Sequence, residues 1–286
     1  MKIVISSGKG GVGKSMLSSA LSMLFGNEGI VAVDCDVDAP NLRVWLNEIG
    51  KPDKIIPVTT SARPVIDHKK CTKCGKCVNT CQFSALSLSK KVKLNPFLCE
   101  GCGACEVICP AGAIKLKPVQ NGRIEVRKTK YSFPLISGQL FPGETGSGKV
   151  VTEVKKEAEK FKHNLMIIDS SPGTGCPVIA SIQGVDFAIL VTEPTPSGFT
   201  DLKRTLKVIN HFKIPFGLVL NKWDINKPLS KKIEKWAGKR FLGRISYDKE
   251  VFKSIAKLKP IMESDLKAKE EIEKIKERVE KIIIGK

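Results

Sequence analysis

The sequence predicts an α/β fold, a parallel β-sheet of the phosphate-loop type covered on both faces by helices, with a smaller α+β module inserted into it. Three observations lead there. Short apolar runs near Lys2, Ile30, Leu165, Phe187, Phe216 and Phe241 alternate with helical stretches, the order expected of a parallel sheet with helices on both sides. The first run leads directly into SGKGGVGKS, a glycine-rich loop of the kind that cradles phosphates. Eight of the ten cysteines fall in two short stretches between the second and third runs, where they interrupt the alternation.

At 286 residues and 42% hydrophobic, the chain is long enough for one substantial core and a second small module. The opening apolar run meets glycines at once, with no basic stretch or small-residue cleavage site, so no leader is expected. No run approaches the roughly 20 apolar residues that span a bilayer. The expectation is a soluble cytoplasmic protein without a membrane partner. The formal net charge is +19, carried mostly by lysines spread along the chain. Nucleic-acid readers cluster their basic residues and interleave aromatics, so no nucleic-acid partner is expected. The charge reads as a solvated surface or as a match for an acidic redox partner.

The opening predicts a buried strand over 2–6, a loop over 8–13 and a helix from Lys14 through Leu24. Backbone N–H groups at such a helix start point at phosphates, and glycines permit close approach. Gly8, Gly10, Gly11, Val12, Gly13 and Met16 are the candidate phosphate-binding positions. Lys14 would bridge the terminal phosphates, and the Ser15 hydroxyl would ligate Mg2+. Two more strand ends supply carboxylates: VAVDCDVDAPNL carries Asp34, Asp36 and Asp38, and NLMIID ends at Asp169 before SSPGTG. A carboxylate there can hold a magnesium-bound water, although strand-end aspartates also cap helices and turns. GLVLNKWD places Asn221 at another strand end, where Asn-Lys-x-Asp is also a guanine-reading pattern. GETGSGKV imitates a second phosphate loop, but Val150 replaces the hydroxyl residue. The two prolines of FPLISGQLFPG argue against a preceding strand, so a mobile loop is expected with a helix over 151–161 behind it.

The cysteine runs read Cys71-x-x-Cys74-x-x-Cys77-x-x-x-Cys81 and Cys99-x-x-Cys102-x-x-Cys105-x-x-x-Cys109-Pro110. Three thiolates at this spacing can wrap one face of a 4Fe-4S cluster, while the fourth crosses to the other cluster. One cluster is therefore expected on Cys71, Cys74, Cys77 and Cys109, the second on Cys99, Cys102, Cys105 and Cys81. Zinc would leave the third and fourth cysteines of each run idle, and disulfides need an oxidising compartment. The segment over 62–119 resembles bacterial two-cluster ferredoxins, departing from them at Gln82, where a proline is common. The domains expected are a nucleotide-binding core over 1–61 and 120–286 and a ferredoxin insert over 62–119.

The second lysine of GKGGVGKS makes the loop resemble that of the MinD/Mrp/ParA and nitrogenase iron-protein ATPases, and the whole chain resembles MinD-superfamily members with an inserted ferredoxin domain. The resemblance implies ATP as substrate, with Asn221 beside adenine and Met16 in place of a common threonine. It implies a homodimer closed around ATP in which Lys9 reaches the partner's nucleotide. Asp36 would orient the attacking water, with Ser15, Asp36 and Asp169 around Mg2+; Lys9, Lys14 and Asp36 are the catalytic candidates. Cys176 has a spacing from Asp169 like that of a cluster-holding cysteine in the nitrogenase iron protein. It is either a buried core residue at a helix start or a thiol at the dimer interface. Cys35 reads as core. The tail spaces Ile272, Ile275, Val279 and Ile282 along one helical face, expected to pack on the sheet.

The function implied is a slow, partner-stimulated ATPase that couples dimer closure to electron transfer through the clusters, or to iron-sulfur assembly for an acceptor protein. A positioning regulator of the MinD/ParA kind using clusters as a redox sensor is the alternative. Iron analysis of anaerobically purified protein should find about eight irons per chain, two clusters of four. Stoichiometric zinc with little iron would overturn the cluster reading.

Overall fold

The computed structural model describes residues 1–284, the side chains of Ile283 and Ile284 excepted. In chain order the core begins with β1 (Lys2–Ser7), α1 (Lys14–Leu24), β2 (Ile30–Cys35), α2 (Leu42–Trp45) and β3 (Lys54–Val58). The cysteine-rich segment follows as β4 (Ser61–Ile66), α3 (Lys76–Thr80), β5 (Leu86–Leu88), β6 (Val92–Leu94), α4 (Ala104–Val107) and β7 (Ile114–Val119). The chain re-enters the core through β8 (Gly122–Lys128), β9 (Pro134–Leu140), α5 (Ser147–Ala158), β10 (Leu165–Ser170) and α6 (Cys176–Ile182). It ends with β11 (Phe187–Thr192), α7 (Pro196–His211), β12 (Phe216–Asn221), α8 (Lys227–Ala237), β13 (Phe241–Ile245), α9 (Lys249–Ala256) and α10 (Lys267–Ile284).

The six apolar runs all form strands, and β2, β10 and β11 are buried at every residue because helices cover both faces. Alternate side chains of β1 serve opposite cores. Ile3 and Ile5 pack with Leu17, Leu21 and the α10 residues Ile272, Ile275 and Val279, while Val4 packs with Val33, Val154, Ile168 and Leu202. The tail helix thus packs on the sheet through the face its spacing marks. Strand order is β13-β12-β11-β1-β10-β2-β9-β8-β3. The first seven run parallel, and β8 and β3 add an antiparallel edge. With β1 between β10 and β11, the glycine-rich loop sits at the middle of the sheet, at the carboxyl ends of the parallel strands.

FPLISGQLFPG departs from expectation, because it does contain a strand. Pro134 is the first residue of β9, where a missing N–H removes no interior ladder bond, and Pro142 lies beyond its end. Gly138 lets α5 approach closely: a Cβ there would lie 2.5 Å from Val154 Cγ2 and 2.8 Å from Val37 Cγ1. GETGSGKV accordingly joins a strand to a helix that starts at Ser147, four residues earlier than position 151.

The cysteine-rich segment is built twice. Cys99 follows Cys71 by 28 residues, and the same offset carries Lys73 onto Gly101, Gly75 onto Gly103 and Ser84 onto Gly112. All six have positive φ, so the repeat extends to the backbone. The pairing of β4 with β7, Ile66 opposite Ile114, maps by that offset onto β6 with β5, Leu94 opposite Leu86. Two half-motifs related in this way exchange strands, which brings the fourth cysteine of each run toward the other half.

Gly138→Ala should lower stability by about 1–3 kcal/mol, because the added methyl has no free volume between Val154 and Val37. Urea unfolding followed by far-UV circular dichroism checks this. A loss near zero would mean that α5 is free to shift outward.

Candidate nucleotide site and cysteine cavities

Gly13 caps α1 at φ 93°, and Gly11 also lies in the left-handed region at φ 77°, so the loop needs glycine at both places. The turn leaves the first N–H groups of α1 facing a cavity of about 590 Å3 at the carboxyl ends of β1, β2 and β12. Lys9, Gly10, Gly11, Gly13, Lys14, Ser15, Met16, Asp36 and Asn221 all line it. Gly8, Val12 and Asp169 do not. Gly8 is pressed against the Asp201 backbone of α7, Val12 is buried, and Asp169 lies beneath the cavity with no exposure at all.

Lys14 links the two levels. Its ammonium donates to Asp169 Oδ1 at 3.2 Å and lies 4.0 Å from Asp36 Oδ2. Burial disfavours the Lys14 charge, but Asp169, Asp36 and Asp34 outweigh it and hold the ammonium above its ordinary value. Asp169 Oδ1 also accepts from Ser18 Oγ at 2.9 Å, while Oδ2 is buried without a partner among the described residues. Asp34 accepts from the backbone N–H groups of Asp36 and Leu42, which shapes the loop carrying Asp36. Burial and the neighbouring Asp169 push Asp34 up to about 8, and burial is also the main cause that raises Asp36.

Asn221 donates its amide to the Val12 carbonyl at 2.8 Å and accepts from the Lys222 N–H at 2.9 Å, so it pins the loop from the side. Lys9 lies 2.6 Å from Glu193 Oε1, which follows β11. Lys222 reaches the other oxygen of Glu193 at 3.2 Å and the Gly11 carbonyl at 3.1 Å. Burial opposes the charge of Glu193, yet the two lysines prevail and keep its carboxyl below the ordinary range. Within one chain, therefore, Lys9 is tethered to a carboxylate. Sequence reasoning missed Glu193 and Lys222, although TEP directly after an apolar strand marks an acid at the same sheet edge. It also missed the far wall of the cavity, Tyr247, Asp248 and Phe252, which follow β13.

The eight cysteines gather as two sets. Cys71, Cys74, Cys77 and Cys109 surround one small cavity, and Cys81, Cys99, Cys102 and Cys105 surround a second. The Ala85 N–H donates to Cys81 Sγ and the Ala113 N–H to Cys109 Sγ, each at 3.3 Å, again at equivalent repeat positions. Among the described residues, no three His, Cys, Asp or Glu side chains converge on a single metal ion. This donor set fits 4Fe-4S clusters, whose ligands are thiolates.

The cysteine-rich segment rests on the loop between β9 and α5. Arg63 of β4 pairs with Glu144 at 2.7 Å, and the Phe97 ring, two residues before Cys99, lies against Gly143. At the start of α5, a Cβ on Gly148 would sit 3.1 Å from the Cys176 carbonyl oxygen and 3.2 Å from its Cβ. Cys176 is exposed, which overturns its reading as a core residue. Cys176 lies on the outward side of α6, with Val178 and Ile182 supplying the buried face. Cys35 is core, and burial pushes its thiol up.

Lys14→Ala should abolish nucleotide binding, because it removes the lysine expected to bridge the phosphates and leaves Asp169 buried without its cation. Lys9→Ala should leave binding within about fivefold, since a part-exposed ion pair contributes at most about 1 kcal/mol. Fluorescent-nucleotide titration separates the two, and equal losses would show that both lysines act on one phosphate.

Residues 3–261 match the CobQ/CobB/MinD/ParA nucleotide binding domain. The chain is 40% identical to an uncharacterized protein of Methanocaldococcus jannaschii over 99% of its own length and 98% of that protein. An iron-sulfur cluster carrier protein of the same organism is 26% identical, covering 100% of this chain and 86% of that one. An uncharacterized ferredoxin of that organism is 39% identical over 57 residues, 18% of this chain and 92% of the ferredoxin. The fold is similar to the septum site-determining protein MinD of Pyrococcus horikoshii complexed with Mg-ADP, with a TM-score of 0.62 at 18% identity, covering 99% of this chain and 96% of that one. With its glycine-rich loop at the head of the central strand, the chain belongs to the CobQ/CobB/MinD/ParA family of nucleotide-binding domains.

Proposed function

We propose that this protein is an ATP-hydrolysing iron-sulfur protein in which ATP-driven pairing of two copies controls electron transfer through two clusters held by the insert. The observation that carries this reading is the seating of the insert on the loop before α5, whose first turn abuts Cys176. Cys176 ends the segment that begins at Asp169, the partner of Lys14. An ATP phosphate claimed by Lys14 would loosen Lys14 from Asp169. That change would reach Cys176 along six residues of chain, and from Gly148 the insert through Glu144 and Gly143.

Lys14 and the α1 N–H groups bind the phosphates, and Asp36 holds and orients the attacking water. Lys9 leaves Glu193 to reach the nucleotide of the partner copy. Ser15, Asp36 and the unpartnered Oδ2 of Asp169 would hold a Mg2+ ion, directly or through water, and the ion would supply charge neutralisation at the phosphates. Two 4Fe-4S clusters, one on Cys71, Cys74, Cys77 and Cys109 and one on Cys99, Cys102, Cys105 and Cys81, would supply one-electron redox chemistry when bound. ATP is the nucleotide we assign, with Asn221 beside the base, and competition between ATP and GTP tests it. The exposure of Cys176 beside Gly148 supports a role for it at the interface of the pair.

A second reading, delivery of clusters to an acceptor protein, is supported by the 26% identical carrier protein and by the exposure of Cys74 and Cys102 at equivalent repeat positions. Anaerobic redox titration with Mg-ATP and with Mg-ADP separates the two. Under our reading the cluster potentials differ by tens of millivolts between nucleotides, and Glu144→Ala reduces the difference while leaving ATP binding intact. ATP-dependent loss of iron to an apo-protein at constant potential would support delivery instead. Potentials and iron content unaffected by nucleotide would leave the clusters as sensors on a positioning ATPase.

A further inference from the structure

A second cavity, of about 280 Å3, opens on the antiparallel edge of the sheet, away from both cysteine sets. Residues two apart on β8 share a face, so Arg123, Glu125 and Arg127 point into it together. Ser137 and Gln139 of β9 stand opposite Glu125 and Arg123, and Arg43 of α2 closes one side. Pro40 and Pro52 complete the rim.

Glu125 holds its neighbours in place. Its two oxygens take Arg123 Nη2 at 2.8 Å and Arg127 Nη2 at 2.7 Å, and Arg127 Nη1 donates to the Gly50 carbonyl. That leaves the cavity with an excess of donors. Arg127 is 5% exposed and Ser137 3% exposed, yet Arg127 Nε, Ser137 Oγ and also Arg123 Nε are buried with no partner among the described residues. The Arg43 guanidinium has no ion-pair partner among the described residues either. Three arginines against one glutamate leave a surplus of positive charge around unpaired N–H and O–H groups.

Buried polar groups are nearly always satisfied, and orphaned donors converging on one space call for an acceptor there. Paired guanidinium groups match planar carboxylate and tetrahedral phosphate oxygens best. We propose that this cavity is a binding site for a small dianion, a phosphate monoester or a dicarboxylate, separate from the nucleotide site. Arg43, Arg127 and Ser137 provide the recognition, and Glu125 fixes the arginines. The loop between β2 and α2 forms the partition: Asp38, Ala39 and Asn41 face the nucleotide cavity, whereas Pro40 and Arg43 face this one.

The test is isothermal titration calorimetry of the full chain at constant ionic strength, with saturating Mg-ADP present so that the phosphate loop is occupied. Inorganic phosphate and malonate are the probes, and the tighter binder identifies the ligand's anionic group. Saturable binding of one probe per chain is expected. Arg43→Ala and Ser137→Ala should each weaken it roughly tenfold, as expected for a lost hydrogen bond to a charged group. Neither change removes a partner from the Glu125 network, and Ser137→Ala deletes an unpaired hydroxyl, so both variants should unfold at or above the wild-type temperature. No saturable heat with either probe, or unchanged affinity in both variants, would overturn the proposal. Destabilised variants that bind as tightly as wild type would reduce the arginines to a structural network and overturn it as well.

Discussion

One buried lysine among three carboxylates governs the molecule. Lys14 is 6% exposed, and Asp34, Asp36 and Asp169 all bear on it, two of them with no exposure at all. Isolated buried charges are strongly unfavourable, and a single ammonium does not neutralise three carboxylates. The folded chain answers in part by keeping Asp34 protonated to higher pH and by giving it two backbone N–H donors. The remaining imbalance is an electrostatic demand for cations at Asp36 and Asp169, the carboxylates beside the phosphate-binding loop. Under the function we propose, these charges would receive a metal-nucleotide complex between the loops after β2 and β10.

How much of this could be read in advance depended on whether a signal was local. The phosphate loop was legible because Gly11 and Gly13 must be glycine and Lys14 must follow. The expected sets of four cysteines came from the repeated two-cluster spacing, and the same eight side chains line the two small cavities. The strand β9 was not legible, since its prolines lie at its first residue and just past its end, while Ser137 and Gly138 break the apolar pattern inside. Gly138 is there for α5, and Ser137 belongs to the arginine cavity, constraints that only tertiary packing imposes. The Lys9–Glu193 tether joins residues far apart in sequence, and Cys176 looked like core because a helix start does not reveal which side faces out.

The cation at Lys9 is held loosely in this chain. In one copy it has a satisfied partner, shared with Lys222, and leaving Glu193 costs little because Lys9 is one-third exposed. Glu193 keeps a cation in either case, so release of Lys9 does not orphan a buried acid.

The insert is attached by more than its two covalent crossings. Val58 and Gly122, the last and first residues of β3 and β8, are paired, so the chain leaves and returns at adjacent points of the sheet edge. Asn121, fully buried between them, accepts from the Thr60 N–H at 2.9 Å and donates to the Thr145 carbonyl at 2.8 Å. One side chain therefore ties the exit of the core, the return of the insert and the loop leading into α5. Such a clamp resists hinge motion between insert and edge, and it makes the loop over 141–146 move with the insert. That loop also begins the helix against Cys176, so under the coupling we propose a nucleotide-driven change would travel as a rigid-body shift rather than through a swinging tether.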